Sequence, residues 1–525
     1  MGATLASRLT GFFREMLIPA KFGVGIVADV YDVAFKFPDL MFSLLIGGAI
    51  SAALVPVLSG SISKGDEREG WQAISRFINL TMTLTLIVSV LGVIFAENLV
   101  VMFAQGWDPA VPGDVTKITM AARLMRVLFP SVAFLMLAGF ANSVLYSYER
   151  FLSAAFGPVI YNVLCIMSIA LLSSGGPEDF FHVERVVVGV MLSSFSYFIV
   201  QTALAYKNIR GNYKLSFDYR HKGFRRLFRI ALPSLASSSF IQINTMVSTS
   251  FSSRFEAGSI IAMRMADRTW QMPHGIIAQS MGIALLPDIS GKYANGDLDG
   301  YKKSLTSGLR YMLLLAIPVC AACVTLSGQI MRTLFLNSDR MTEADIALTA
   351  SILICYSSAL ITQSINTILI RAFYACNETR TPMLTGASII GLNILLSVLF
   401  YNLTTIGVRG MALAYSITSL IHLVLLLFLL NRKIPGLNAL GGLRLFFVKT
   451  GGAALGMAAL IVILGLLIPE GLITGQFSLA LKLRQLLVLG VNAIVGASAY
   501  FGLLMLFRLP EASAALARIR KILHR

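Results

Sequence analysis

Four arginines set in apolar surroundings are the residues of this sequence best suited to chemistry. Arg8 and Arg14 lie in the first apolar stretch, Ala3 to Phe22, together with Ser7, Glu15 and Lys21. Wound as a helix at about 100° per residue, Thr4, Arg8, Gly11 and Glu15 share one strip, and Ser7, Arg14 and Lys21 share the next. Leu5, Leu9, Phe12, Met16 and Leu17 occupy the remaining surface. An arginine at the centre of a membrane helix costs about 2.5–3.5 kcal/mol even on the lenient insertion scale. Two on one face are tolerable only where that face meets water, counter-charges or an anionic ligand. The plain alternative is an ion-pair staple, from Arg8 to Glu15 or to an acid on the next helix.

The second pair, Arg264 and Arg268, stands one helical turn apart in a stretch that also holds Asp267, Gln271, Pro273 and His274. Its counterpart near the N-terminus carries Asp29, Asp32, Lys36, Pro38 and Asp39. Asp32 and Lys36 are spaced for an ion pair within one helix, and each proline is expected to break its helix. Arginines from two related bundles converging in a low-dielectric cleft repel one another unless an anion lies between them. Arginine grips phosphate through paired hydrogen bonds. The pattern therefore predicts a central cationic cavity for a phosphate-bearing substrate. The alternative is a structural network in which Asp29, Asp32, Asp39 and Asp267 neutralise the cations, and exchange between the two arrangements would make a gate. His274 and His422 read as polar packing residues.

These residues need a membrane scaffold. Hydrophobic residues make up 56% of the 525 and charged residues 13%, which is the composition of a polytopic membrane protein. Apolar spans are expected at 3–22, 27–59, 71–104, 117–147, 152–174, 185–207, 224–253, 256–289, 302–330, 344–375, 381–402, 407–431, 442–468 and 482–508, about fourteen helices. Basic residues gather in alternate gaps, most densely from Lys207 to Arg229, and this bias places both termini in the cytoplasm. Arg254, Arg332, Arg340 and Arg409 run against that bias. The basic connector is expected to lie on anionic headgroups, and the tail from Glu511 to Arg525 to form an interfacial helix. Most of the positive charge behind the net +17 lies in short loops and helix ends, where the positive-inside bias explains much of it, so nucleic-acid binding is not implied. Five cysteines read as small core residues, with no metal set among them.

A repeat joins the two arginine pairs. Ala53-Leu54-Val55-Pro56 and Ser59-Gly60 recur as Ala284-Leu285-Leu286-Pro287 and Ser290-Gly291, and at the same offset of 231 Gly65-Asp66 meets Gly296-Asp297 and Asn162 meets Asn393. The expected organisation is an N-lobe of six helices over residues 1–208, a connector over 209–223, a C-lobe of six helices over 224–433, and two further helices with a cytoplasmic tail over 434–525. Six helices per copy is an even number, so the lobes are expected to be related by an axis along the membrane normal.

The opening Ser7-Arg8-Leu9-x-Gly11-Phe12-x-Arg14-Glu15, then Phe22-Gly23, Asp29, Ala34-Phe35-Lys36-x-Pro38 and Val55-Pro56, resembles that of the MurJ (MviN) lipid II flippases of the MOP exporter superfamily. Ala266-Asp267-Arg268, Pro273 and Leu285-Leu286-Pro287 resemble their eighth helix. The resemblance implies two pseudo-symmetric six-helix lobes around a central cavity, two more helices lining a lipid-tail groove, and export of the undecaprenyl-pyrophosphate-linked peptidoglycan precursor. It carries over Ser7, Arg8, Arg14, Asp29 and Arg268 as cavity residues, with Glu15 where aspartate is common. Phe42 or Ser43, Gly47 and Gln271 stand where many relatives have an arginine or an acid. The family's sodium motif is reduced to Asn393 with Ser397 as its partner, and Lys449 would sit at the mouth of the groove.

The expected activity is transport by alternating access in the cytoplasmic membrane of a bacterium. Arg8, Arg14, Arg264 and Arg268, with Ser7, would hold the pyrophosphate; Glu15, Asp29, Asp32, Lys36, Asp39, Asp267 and Gln271 would form gating ion pairs. No Ser-His-Asp set, nucleotide loop or zinc motif points to an enzyme. No cofactor is expected, and coupling to membrane potential, protons or sodium stays open. The expected partners are the lipid-linked sugar, membrane lipids and the cell-wall synthesis machinery, with the chain a monomer. The rival readings are a flippase for another lipid-linked oligosaccharide, a MATE-like multidrug exporter, which would need acids rather than arginines in its cavity, and a non-transporting scaffold.

Overall fold

The computed structural model describes residues 2–44, 51–173, 180–218, 222–335, 341–434, 436, 444–469 and 478–511. All regular structure among them is helical. The elements are α1 (Gly2–Phe22), α2 (Ile26–Phe42), α3 (Ser51–Ser63), α4 (Glu67–Ile94), α5 (Ala96–Phe103), α6 (Pro112–Ser147), α7 (Phe151–Leu172), α8 (Phe180–Ile209), α9 (Lys222–Ser252), α10 (Ser259–Ala294), α11 (Leu298–Thr325), α12 (Ser327–Phe335), α13 (Glu343–Ala375), α14 (Arg380–Leu403), α15 (Arg409–Lys433), α16 (Arg444–Leu467) and α17 (Leu479–Leu506). Ten of these are long and apolar enough to cross a membrane: α4, α6, α7, α8, α11 and α13 to α17. The long helices α1 and α10 fall outside that group and carry the arginine pairs.

Several expected spans divide. The span 71–104 becomes α4 and α5, and 302–330 becomes α11 and α12. Each division is a single residue, Phe95 or Leu326, whose backbone N–H still bonds the carbonyl four residues back, so the chain turns a corner without stranding polar groups. The prolines behave otherwise than expected. α2 runs through Pro38 and α10 through both Pro273 and Pro287 without interruption. Neighbouring helices in such a bundle supply the order that one lost hydrogen bond removes. Gly47 and the tail beyond Glu511 lie outside the described residues.

The helix bounds themselves repeat. Displacing α4 by 231 residues reproduces both ends of α11, and the corners at Phe95 and Leu326 are separated by the same offset, as are the N-termini of α6 and α13. Gly65 and Gly296, again 231 apart, both adopt positive φ, 78° and 73°, which only glycine enters freely. An aspartate follows each and precedes the next helix.

The chain divides into two compact units, residues 1–261 and 262–525. In the first, α6 is the central element, touched by α2, α3, α4, α5, α7 and α8, while α1 packs on α7. The core gathers Leu54, Leu58, Trp71, Phe77, Met136 and Phe140, and α9 adds Phe224 and Leu227 to it. The connector does not hang free in this unit. The Asn79 side-chain amide donates to the Lys214 and Ser216 carbonyls (3.2 and 3.0 Å), and the Lys214 N–H donates to Ser75 Oγ (3.1 Å). The extended segment is thus laid along α4, with Leu215 and Phe217 exposed on its other side. In the second unit α13 takes the central place, against α11, α12, α14 and α15. Tyr301, Met312, Phe373, Leu426 and Tyr500 are among its core residues, and the α16–α17 hairpin packs on α11 and α12.

Candidate functional site

The polar face of α1 meets α7. The Asn162 side-chain amide donates to the Ser7 carbonyl at 3.2 Å, fixing the first turns of α1 at the position of an expected ligand-binding residue. Two turns on, Arg14 pairs with Glu15 at 2.9 Å, and its guanidinium lies 5.6 Å from the centre of the Tyr161 ring. Its side chain is 26% exposed against 10% for Glu15, so the cation keeps an open side while its carboxylate is covered. Glu15 is engaged by its neighbour Arg14. The Arg8 side chain, the other end of the expected staple, lies outside the described residues.

Asp29 and Asp32 are both buried on α2, but they do different things. Asp32 meets Lys36 Nζ at 2.7 Å. Asp29 reaches across to the start of α10, where its two carboxylate oxygens accept the Gly258 N–H (2.7 Å) and the Ile261 N–H (2.9 Å). Gly258 immediately precedes α10 and Ile261 lies in its first turn, where the N–H groups have no partner within the helix. A carboxylate there satisfies two of them and meets the positive end of the helix dipole. It does the work of an N-cap from a different helix. Gly258 makes this approach feasible: its φ is +90°, and a Cβ there would fall 2.7 Å from Val24 Cγ1. Gly106 packs as closely, since a Cβ would lie 2.3 Å from the Ser253 carbonyl oxygen. Beside Asp29 a cavity of about 20 Å3, lined also by Trp107, Lys117, Ser253 and Glu256, is sized for a single water. Lys117 is held by Asp114 at 2.8 Å. Asp39 is exposed on the turn after Pro38.

In the second unit α10 presents Arg264, half-buried, and Arg268, exposed. Arg268 has no hydrogen bond or ion pair among the described residues. Asp267 between them accepts from Trp270 Nε1 (3.0 Å) and Gln271 Nε2 (2.7 Å). Trp270 is buried among His274, Tyr356 and Tyr415, with ring centres 5.6–6.1 Å away. Gln363 on α13 donates to the Tyr415 hydroxyl at 3.0 Å, and Thr367 stands 3.4 Å from His274. One turn further along α13, Arg371 contacts Gln279 at 3.4 Å across the space left by Gly282, where a Cβ would lie 2.5 Å from Arg371 Nε.

Lys449 Nζ donates to the Phe507 carbonyl at 2.7 Å, closing the C-terminus of α17. Asn393 and Ser397 are both buried, one turn apart on α14. Among the described residues no cluster of His, Cys, Asp or Glu is arranged to hold a metal ion. Sequence reasoning missed Arg371, Tyr161 and the Trp270 cage. A lone arginine in the expected span 344–375 was a readable signal, by the same cost that marked Arg8 and Arg14. The aromatic partners had none, because tyrosines in apolar helices are ordinary.

The model of the lipid II flippase MurJ family matches residues 18–483. A probable lipid II flippase MurJ from Buchnera aphidicola is 30% identical over 428 residues, 81% of each chain. One from Vibrio cholerae is 26% identical and spans 98% of this chain and 96% of its own. Among solved structures, a lipid II flippase MurJ in an inward closed conformation superposes with a TM-score of 0.75 at 24% identity, covering 96% of this chain and 98% of the other. A MATE family multidrug transporter in an inward-facing conformation gives 0.66 at 14% identity, over 83% and 96%.

Proposed function

The chain belongs to the lipid II flippase MurJ family, and from that membership we propose that it carries lipid II across the membrane by alternating access, with the pyrophosphate held by arginines of α1 and α10. It is a multi-pass protein of the bacterial inner membrane. The proposed arrangement has fourteen crossings in two related bundles of six plus a final pair, and both termini in the cytoplasm.

The observation that carries the binding role is the state of Arg14 and Arg268. Arg14 is oriented by Glu15 and Tyr161 yet partly open, and Arg268 is exposed without an ion pair among the described residues. Cations held in this way suit a dianionic ligand that completes their coordination. Arg8 and Arg264 join the set by their places on the same helices, and Arg371 extends it along α13. Asp29, seated on the α10 N-terminus, serves as a latch whose release accompanies opening. A pyrophosphate bearing about two negative charges gains about 2.3 kcal/mol per charge per 100 mV on leaving an inside-negative cell, so the membrane potential can drive export without a nucleotide. The shared MATE fold does not favour cationic drugs here, since the exposed charge is arginine.

The test is lipid II translocation in reconstituted vesicles. Arg14→Ala and Arg268→Ala, each expressed and folded as the parent, are expected to lose at least about tenfold in rate, the worth of one charge-assisted contact. Full activity in both would refute the binding role.

A further inference from the structure

Outside α1 and α10, α7 and α8 part to leave an open groove of about 280 Å3. Leu164, Met167, Leu171 and Leu192 line it, and the last three are 48–68% exposed. At Gly189 the helices nearly touch, since a Cβ there would lie 2.6 Å from the Ser168 side chain, and this close approach forms the floor. The serines that line the groove do not make it polar. Ser168, Ser193 and Ser196 each donate to a carbonyl four residues back in their own helix, at 2.7–2.9 Å. Both helices are apolar enough to cross a membrane, so the groove opens on hydrocarbon.

One turn beyond Gly189, on the same face of α8, stands Arg185. It is exposed, its guanidinium lies 4.6 Å from the centre of the Phe181 ring, and it has no ion pair among the described residues. The adjacent acid, Glu184, is engaged by Arg123 at 3.0 Å. An oriented cation therefore lies one helical turn from the groove-lining Gly189, towards the N-terminal end of α8.

We propose that Arg185 and the α7–α8 groove together bind one anionic glycerophospholipid, its phosphate on the guanidinium and one acyl chain along the groove. Lipid chains are as apolar as the groove walls, so seating a chain gains packing but no hydrophobic transfer. Selectivity must then come from the headgroup, where arginine pairs with phosphate. This site stands apart from the proposed pyrophosphate site and does not depend on it.

Native mass spectrometry of the full-length chain, stripped of lipid in detergent, tests this with added phosphatidylglycerol, phosphatidylcholine or undecaprenyl phosphate. One phosphatidylglycerol should be retained in preference to the other two. Arg185→Gln, at an exposed position, and Ser196→Trp, which fills the groove, should each weaken retention roughly tenfold at an unchanged unfolding temperature. If Ser196→Trp does not fold, Arg185→Gln decides the matter alone. Equal retention of phosphatidylcholine, preference for undecaprenyl phosphate, or unaltered binding in Arg185→Gln would each overturn the assignment.

Discussion

The carboxylate of Asp29 accepts the backbone N–H of Gly258 at 2.7 Å, and with its second oxygen takes Ile261 as well. A charged side chain from α2 thereby ends α10 at its N-terminus. Asp29→Ala removes two charge-assisted hydrogen bonds and leaves buried amides without partners, at a cost of about 2–3 kcal/mol. The unfolding temperature in detergent should drop, and Asp29→Asn, which retains an acceptor, should lose less. Equal stability of all three proteins would exclude the capping role.

Gly258 is the other half of that contact. Alanine at φ +90° is strained by about 1–3 kcal/mol, and its Cβ would also press on Val24. Gly258→Ala should lower yield and unfolding temperature, whereas alanine at Gly113, which has open space and ordinary φ, should be neutral. The comparison separates a local conformational demand from general intolerance to substitution.

Asn162 holds α1 by the Ser7 carbonyl rather than by a side chain. Asn162→Leu keeps the volume but removes the donor, so α1 should be released at that level for about 1 kcal/mol. The expected signature is faster hydrogen exchange or cysteine labelling near Ser7 with folding intact. Unchanged labelling would show that packing on α7 suffices.

Arg371 lies against Gly282 on α10 and contacts Gln279. Arg371→Leu should slow lipid II translocation several-fold in reconstituted vesicles, and Arg371→Lys, with charge but no planar fork, should recover part of the rate. A rate insensitive to both would make Arg371 a packing residue.

Tyr148, just past the end of α6, bonds Glu67 and accepts from Trp71 Nε1 at 3.1 Å. Burial first, and then the Glu67 carboxylate, push its phenol up to about 12. Below pH ~10 the phenol keeps its proton in folded and unfolded chains alike, and its contribution to stability is whole. As pH rises from ~10 through about 12 the unfolded chain releases that proton first, so stability falls. Tyr148→Phe should lessen the alkaline loss of stability, read as unfolding temperature against pH. Parallel curves would show that the phenol does not contribute.

Much of this protein was legible before folding. Helical class and membrane residence follow from apolar runs, because a bilayer leaves the backbone no other way to satisfy itself than within the span. The repeat was legible because proline, glycine and aspartate at one offset are improbable in apolar sequence, and the helix ends of α4 and α11 follow the same 231-residue offset. The arginines of α1 and α10 declared themselves by their cost in lipid. What the order of residues does not contain is the direction in which each group is spent. Asp29 and Asp32 look alike in sequence, yet one closes a helix 229 residues away and the other meets Lys36 one turn on. Lys449, expected at the mouth of a groove, donates to the Phe507 carbonyl at the end of α17, a partner its place in the sequence did not name. Such partners are chosen by which orphaned backbone group packing brings within 3 Å, and no local spacing encodes that distance. Residue type and period set the elements and the price of each charge; only the assembled bundle decides which hydrogen bond answers it.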